Sequence, residues 1–124
     1  MHFTLLCSMN EGKWESLPET TRDEVMRDYG AVLQDLAKSG HLKAGAKLES
    51  VSTAATVRGK NGRFKVTDGP FAETKEHLGG FHLIECKDFD EAMSIAKRIP
   101  SLRVGAAIEV RPVAFTEPVP STKY

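Results

Sequence analysis

The sequence has few cysteines, few aromatic residues and no long apolar run, and its charge shows no excess of either sign. Its 124 residues contain two cysteines, and 17 Lys and Arg balance 17 Asp and Glu. A protein that binds nucleic acid through bulk charge needs a basic excess, so this balance argues against that class. Two cysteines make no disulfide framework in a chain of this length, and the apolar segments around Cys7 and Cys86 favour buried free thiols.

No segment approaches the roughly 20 apolar residues that a membrane-spanning helix needs. The start of the chain, MHFTLLC, lacks the basic region of a signal peptide. These absences predict a cytoplasmic protein that does not engage a membrane. The four histidines have no metal-site spacing, and the chain has no phosphate-binding loop or dinucleotide fingerprint, so neither a metal nor another cofactor is predicted.

The sequence does contain clear helix patterns, and its hydrophobic content of 40% is enough for a packed core. Apolar residues at helical spacing predict a first helix over 17–39. Ser16 and Glu19 have capping-box spacing at its start, and Gly40 is suited to its C-terminal end. The same capping spacing recurs before a second predicted helix over 89–99.

The strand patterns are arranged around these helices. A loop is predicted over 10–16, and Asn61-Gly62 between two β-prone runs indicates a hairpin. The order β-α-β, hairpin, β-α-β predicts an α+β fold, a ferredoxin-like sandwich with an inserted hairpin and both helices on one face. The other sheet face stays uncovered, which predicts a face-to-face homodimer. The predicted strands cover 2–9, 42–50, 53–58, 63–67, 81–86 and 106–113.

The connection over 68–80 concentrates turn-forming and charged residues. One interpretation is a rigid connector in which Phe71 anchors the loop in the core. The other is a pocket rim, in which Asp68 acts as an acid, a base or a hydrogen-bond acceptor and Glu73 and Lys75 contact a ligand. The sequence leaves both open.

Two strands hold further candidates. Glu109 and Arg111 share one face of the last strand, where they either bind a polar or anionic ligand in a dimer cavity or form a structural ion pair. His82 is the best single acid–base candidate because an imidazole titrates near neutral pH; the alternative is a structural histidine held by hydrogen bonds. The pair Gly79-Gly80 indicates either that a ligand or another chain approaches the backbone closely or that the strand starts with a bulge.

The segments VTDGPFAETKE at 66–76, LGGF at 78–81 and IEVRPV at 108–113 resemble the DGPF group of the YCII-related family. The resemblance extends over one domain, 1–113, and leaves a tail over 114–124 that is predicted to be extended. It implies a dimeric α/β barrel, in which two ferredoxin-like sheets pack face to face, and a bacterial cytoplasmic protein.

The resemblance implies no established reaction. The wider family has a His on the first helix that is proposed to act with an Asp, and this sequence has Tyr29 at the corresponding position. A His–Asp mechanism therefore does not transfer, and Tyr29 is left to donate a hydrogen bond or to bind a ligand. Genes of the group often neighbour sigma-factor genes, which implies a regulatory or stress context.

Two functions follow from these observations. The first is binding of a small molecule between the sheet and the 68–80 connection, with cofactor-free proton transfer of the lyase or isomerase kind, by analogy with other dimeric α/β barrels. The second is a non-catalytic sensor or interaction partner of a regulatory protein. Catalysis requires a titratable residue with a perturbed pKa in a concave pocket, whereas a sensor requires only the pocket or an exposed patch.

The uncovered sheet face and the absence of net charge lead to a prediction of self-association, because little repulsion opposes burial of that face. Light scattering at micromolar concentration should give about twice the chain mass of 13.6 kDa. A monomeric mass throughout the concentration range would contradict the barrel arrangement.

Overall fold

The computed structural model describes residues 1–116, so most of the predicted extended tail, residues 117–124, lies outside the described residues. Within the described part the element order is strand, two helices, strand, hairpin, strand, helix, strand. The strands are β1 (His2–Met9), β2 (Leu42–Lys47), β3 (Ala55–Lys60), β4 (Arg63–Asp68), β5 (His77–Glu85) and β6 (Ala107–Pro112). The helices are α1 (Glu11–Ser16), α2 (Glu19–Lys38) and α3 (Phe89–Ala96), with short 3-10 turns at Val51–Thr53 and Pro100–Val104.

Four of the strands form one antiparallel sheet in the order β2-β5-β1-β6, and β3 and β4 form a separate two-stranded sheet. The core joins β1 and β5 to both long helices. Its buried residues are Phe3, Leu5, Leu36, Ile84, Cys86, Ala92, Ile95 and Ala96. Because α2 and α3 cover the same face, the predicted ferredoxin-like sandwich with an inserted hairpin is confirmed. In the described range no helix combines the length and the apolar character needed to cross a membrane.

The predicted loop over 10–16 is wrong, because this segment contains the short helix α1. Asn10 caps the helix, and its Oδ1 accepts a hydrogen bond from the Lys13 backbone N–H at 3.0 Å. The predicted capping box at the start of α2 is also wrong. The Ser16 hydroxyl donates to the Lys13 carbonyl at 2.7 Å, and Pro18 stands at the N-cap of α2 with no side-chain cap bond. Ser16 therefore belongs to the end of α1.

Other local predictions are confirmed. Asp88 caps α3, and its Oδ1 accepts from the Glu91 backbone N–H at 2.8 Å. Asn61 and Gly62 form the hairpin turn with φ values of 53° and 75°, the left-handed region that this type of turn requires. Gly40 has a φ of 81° at the end of α2.

The strand β5 begins at His77, four residues earlier than predicted, so Gly79 and Gly80 lie inside it. Gly80 pairs with Cys7, whereas Leu78 pairs with Ser8, and Gly79 is therefore the extra residue of a bulge. The strand β2 ends at Lys47 rather than at residue 50. Of the two interpretations of the glycine pair, the bulge is present in the fold.

The prediction that Phe71 anchors the 68–80 connection is wrong, since 77% of its surface is exposed. The start of the connection is held by the hairpin instead. The Gly69 N–H donates to the Ala54 carbonyl at 2.7 Å, and the Thr56 hydroxyl donates to the Gly69 carbonyl at 2.8 Å. Arg58 also donates to the Phe71 carbonyl at 2.9 Å. Each of these bonds involves a backbone group of Gly69 or Phe71. None of them needs the Phe71 ring, which faces solvent.

Two phenylalanines offer a matched test of this packing. Phe3 is fully buried and packs edge-on against Phe89, with ring centroids 5.9 Å apart. Phe3→Ala should lower the free energy of unfolding by about 3–5 kcal/mol, the cost of a large cavity. Phe71→Ala should change it by less than about 0.5 kcal/mol, as for an exposed site. Urea unfolding measures both, and a large loss from Phe71→Ala would contradict the exposed placement.

Candidate active site

A cleft of ≈ 620 Å³ opens on the helix-covered side of the sheet, where β1 ends and β5 begins. The surrounding elements are α1, α2, the end of β2 and the segment that follows β2. Apolar side chains make up much of the wall, among them Met9, Trp14, Val25, Met26, Leu33 and Leu48. The polar groups on the wall include Cys7, Glu11, Tyr29, His77 and His82. A concave, mostly apolar site with a few polar groups is the usual form of a small-molecule site.

The central polar contact in the cleft joins α2 to β5. The Tyr29 hydroxyl oxygen lies 2.6 Å from His82 Nε2, and the Cys7 Sγ lies 3.4 Å from the same hydroxyl. His82 is only 8% exposed, and the two rings are 5.7 Å apart between centroids. Three residues from three elements therefore form one hydrogen-bonded chain inside a cleft.

Position 45 makes room for this histidine. Gly45 in β2 pairs directly with His82 in β5. A Cβ at position 45 would lie 2.7 Å from His82 Nδ1 and 2.9 Å from the Phe81 carbonyl oxygen, closer than real Cβ atoms come. Gly80 is constrained in the same way, since its Cβ would lie 2.9 Å from the Ala46 carbonyl oxygen. The glycines thus allow β2 to approach β5 beside a buried imidazole.

Burial controls the protonation of the hydrogen-bonded chain. It lowers the pKa of the His82 imidazole below its usual 6.5. It also raises the pKa of the Tyr29 phenol, to which the contact with Cys7 adds. The pKa of the Cys7 thiol is raised by burial as well, and the hydrogen bond with Tyr29 offsets part of that rise. All three groups are therefore neutral at pH 7, and we assign the phenol as donor to Nε2, which leaves the imidazole proton on Nδ1.

At the rim of the cleft, a carboxylate of α1 bonds to the segment that follows β2. Glu11 accepts a hydrogen bond from the Val51 backbone N–H at 2.9 Å and another from the Ser50 hydroxyl at 2.8 Å. These two bonds lower the pKa of the Glu11 carboxyl. His77 lies on the same wall, and its Nδ1 is buried with no hydrogen-bond partner among the residues described. The cleft wall thus contains a second imidazole, one nitrogen of which makes no hydrogen bond in the described structure.

The residues predicted for the site separate into two groups. Tyr29 and His82 come together, although 53 residues separate them in the sequence. Asp68, Glu73 and Lys75 are exposed at the end of β4 and in the connection that follows, and they do not line the cleft. His77, Gly79 and Gly80 are the residues of the predicted 68–80 connection that line the cleft, and the roles predicted for Asp68, Glu73 and Lys75 stay predictions.

Glu109 and Arg111 lie on the opposite face of the sheet from the cleft, since Ile108 and Val110 between them pack against the core. Arg111 Nε donates to Glu109 Oε2 at 2.6 Å, and both side chains are at least half exposed. The ion pair between Glu109 and Arg111, one of the two interpretations offered by the sequence, is thus present. A ligand-binding role for the pair stays a prediction.

Cleft residues that were not predicted from the sequence include Trp14, Gly30, Gly45 and His77. For two of these residues, both glycines, the sequence contains a pattern that indicates a special backbone position. Gly45 interrupts a strand pattern, which marks a close approach of another group to the backbone. Gly30 interrupts the long helix directly after Tyr29, where alanine would be the better helix former.

The strand order and the two helices on one sheet face define the protomer fold of the dimeric α/β barrel proteins. The YCII-related domain, as a sequence family, matches residues 1–116. The chain belongs to the YCII-related family.

Two known proteins are similar to this chain over nearly its whole length. An uncharacterized protein of Rhizobium meliloti (strain 1021) is 38% identical over 119 residues, which are 95% of this chain and 96% of the relative. Among solved structures, 5-chloro-2-hydroxyhydroquinone dehydrochlorinase (TftG) from Burkholderia phenoliruptrix AC1100, in complex with 2,5-dihydroxybenzoquinone, has a TM-score of 0.56 at 18% identity. That comparison covers 94% of this chain and 96% of the other, and it supports the fold.

The buried His82 should make the folded state sensitive to acid. Its pKa is lower in the folded than in the unfolded chain, so the unfolded chain binds more protons below pH 6.5. The resulting stability is present above pH 6.5 and is lost as the pH falls through the lower pKa of the folded state. Thermal melts from pH 7.5 to 5 should therefore show a falling Tm that His82→Gln makes flatter.

Tyr29→Phe is the matched control, because burial and not the phenol lowers the pKa of His82. This variant should keep the acid-dependent fall of the wild type. Parallel melting curves for the wild type and His82→Gln would show that His82 is not the group responsible.

Proposed function

We propose that this protein binds a small, mostly apolar organic molecule in the cleft and catalyses cofactor-free proton transfer on it. The observation that carries the proposal is the hydrogen bond of 2.6 Å between the Tyr29 hydroxyl and His82 Nε2 inside the cleft. A phenol and a neutral imidazole in contact form an acid–base pair, and the low pKa of His82 keeps the imidazole available as a base at pH 7.

The pair works as a relay. A ligand C–H next to a carbonyl gives its proton to the Tyr29 oxygen, while the phenol proton moves to His82 Nε2. The ligand then carries the electron pair as an enolate, and His82 carries the positive charge. Return of the proton through Tyr29 to a different ligand atom regenerates the protein and leaves an isomer of the ligand. No electron acceptor or donor is needed.

The likeness to the TftG dehydrochlorinase supports this class of chemistry at the level of the fold. A dehydrochlorination removes a proton and a chloride from neighbouring positions, so it also begins with a base in a small-molecule site. The ligand named with that structure, 2,5-dihydroxybenzoquinone, is a flat ring with ionisable hydroxyls. Molecules of this type are the first probes to use.

Gly30 indicates where the ligand lies. It stands in the middle of α2 on the cleft wall, and a Cβ there would meet nothing within 4 Å. A glycine inside a helix costs about 0.5–1 kcal/mol relative to alanine. Since no atom of residues 1–116 occupies that space, we infer that the ligand packs against the helix backbone beside Tyr29.

We further propose that the working form is a homodimer joined through the uncovered sheet face. Leu6 and Phe81 pair across β1 and β5, and both are partly exposed on that face together with Leu83. The dimeric α/β barrel fold supports this arrangement. In it, the Glu109–Arg111 pair would become buried between the two sheets, where a polar ligand or the ion pair alone satisfies it.

A non-catalytic sensor is the second candidate, and one observation favours it. The Tyr29 hydroxyl already contacts both Cys7 and His82, so its proton and one of its two lone pairs are engaged within the protein. A sensor would need only the apolar cleft. The two functions differ in whether a bound molecule exchanges protons.

Trp14 is the single tryptophan of the chain and lies on the cleft wall, so its fluorescence should report binding. Titration with 2,5-dihydroxybenzoquinone should quench it with saturation. Gly30→Phe should weaken this binding at least about tenfold, a loss of about 1.4 kcal/mol, because the ring occupies the ligand space. The matched control Gly30→Ala should retain binding and gain about 0.5–1 kcal/mol of stability.

Proton transfer is tested with cyclohexanone in deuterated buffer, followed by NMR of its α-hydrogens. The wild type should accelerate deuteration, and Tyr29→Phe or His82→Gln should abolish the acceleration. Quinone binding without accelerated exchange would decide for the sensor. Equal quinone binding by the wild type and Gly30→Phe would overturn the assignment of the cleft.

A further inference from the structure

The hairpin β3–β4, named the arm (residues 55–68), is not paired with the main sheet in the described structure. Its strands bond only to each other, and its further hydrogen bonds stay within residues 54–71. A two-stranded hairpin on its own is marginally stable in water. The arm therefore needs a surface to cover it.

One face of the arm is apolar. Val57 pairs with Val66, and Gly59 pairs with Phe64, so the side chains of all these pairs share a face. Val57, Phe64 and Val66 are 64%, 81% and 66% exposed. Single exposed apolar residues are normal on a protein surface, but three large ones on one face of a hairpin form a patch of the kind that marks an interaction site.

The other face is basic. Arg58 pairs with Lys65, and Lys60 pairs with Arg63, which places like charges directly opposite each other. Such pairs destabilise a hairpin unless anions neutralise them. Within residues 1–116, none of the four cations has a carboxylate partner. The four together line an open concave surface with Gly59 and Phe64.

The rest of the chain has the complementary charge. The arm holds four of the 17 basic residues and one of the 17 acidic ones, Asp68, so the remainder of the chain carries an acidic excess of three. Part of this excess is concentrated at α1 and the first half of α2. There Glu15, Glu19, Asp23 and Glu24 are exposed and form no ion pair in the described structure.

The spacing of the two charged surfaces also matches. Glu19 and Asp23 are four residues apart on a helix, which puts them about 6 Å apart along its axis. Arg63 and Lys65 are two residues apart on a strand, which puts them about 6.6 Å apart. A ribbon laid along this part of α2 would bring each cation close to a carboxylate.

We propose that the arm docks on a second copy of this chain, with its basic face against the acidic surface of α1 and α2. A second copy is favoured over another acidic partner because the chain is charge-balanced as a whole and divided into complementary parts. A marginally stable hairpin needs a partner that is always available, and a second copy of the same chain meets this requirement. Since Trp14 and Glu15 line the cleft, the docked arm lies at the mouth of the partner's cleft.

The proposal rests on the homodimer proposed above, and the test separates the two. Unlabelled and ¹⁵N-labelled protein are mixed, treated with a carbodiimide that couples amines to carboxylates, and digested for mass spectrometry. We expect Lys60 and Lys65 to be joined to Glu19, Asp23 or Glu24, in peptides that combine one labelled and one unlabelled chain. Lys43 and Lys87 serve as control lysines and should give no coupling to these acids.

Variants then test the charge pairing. Arg58→Glu with Lys65→Glu should reduce the mixed-isotope coupling of Lys60 about tenfold and make Trp14 more accessible to acrylamide. Glu19→Lys with Asp23→Lys in the partner should restore the protection of Trp14. High salt should weaken the coupling in the wild type, because exposed ion pairs are screened.

Several results would overturn the proposal. One is coupling of Lys60 and Lys65 only within one chain or only to acids outside α1 and α2. Another is the absence of any coupling. A third is binding of a nucleic acid by the arm that leaves the accessibility of Trp14 unchanged. Leu83→Asp, placed on the uncovered sheet face, tests the homodimer separately by sedimentation. A dimer that depends on Leu83 but lacks the coupling keeps the homodimer and rejects the arm contact.

Discussion

The cleft depends on the close approach of β2 to the imidazole of His82. Gly45 has no side chain, and this allows the backbone of β2 to pass beside a ring that any Cβ would meet at 2.7 Å. The ring is held in place on its other edge by the Tyr29 hydroxyl from α2. A strand, a buried histidine and a helix are thus fixed relative to one another by one steric condition and one hydrogen bond. The residues after Gly45 that line the cleft, up to Leu48, are positioned by the same close approach of β2 to β5.

The fold was readable from the sequence because its signals are local and mutually consistent. Asn61-Gly62 fits a turn that needs positive φ, and Asp88 provides a side-chain cap. The helix α1 was missed because six residues with Trp14 as their one large apolar residue show no helical period. Phe71 was misjudged because a single apolar residue in a charged segment does not identify a core position; much of a folded protein's surface is apolar.

The candidate site was only partly readable, for a different reason. Tyr29 and His82 could each be singled out, but their contact depends on the crossing of α2 over β5, which no local pattern specifies. The DGPF segment is dense in turn-forming and charged residues, which is why the sequence predicts a site there. Its residues Asp68, Glu73 and Lys75 lie at the end of the hairpin and in the connection after it, on an exposed part of the chain. Density of chemical groups along the sequence was therefore a poor guide to their convergence in space.

The bulge at Gly79 also decides which histidines face the cleft. Side chains alternate along a strand, so residues 77 and 82, an odd number apart, would point to opposite faces of a regular β5. The extra residue reverses the alternation, and His77 pairs with Met9 on the same side as His82 and Cys7. If Gly79 were paired as in a regular ladder, with every residue kept, Leu78 would face the cleft and His77 would turn toward the uncovered face. The parity of one strand therefore determines whether the cleft contains one imidazole or two.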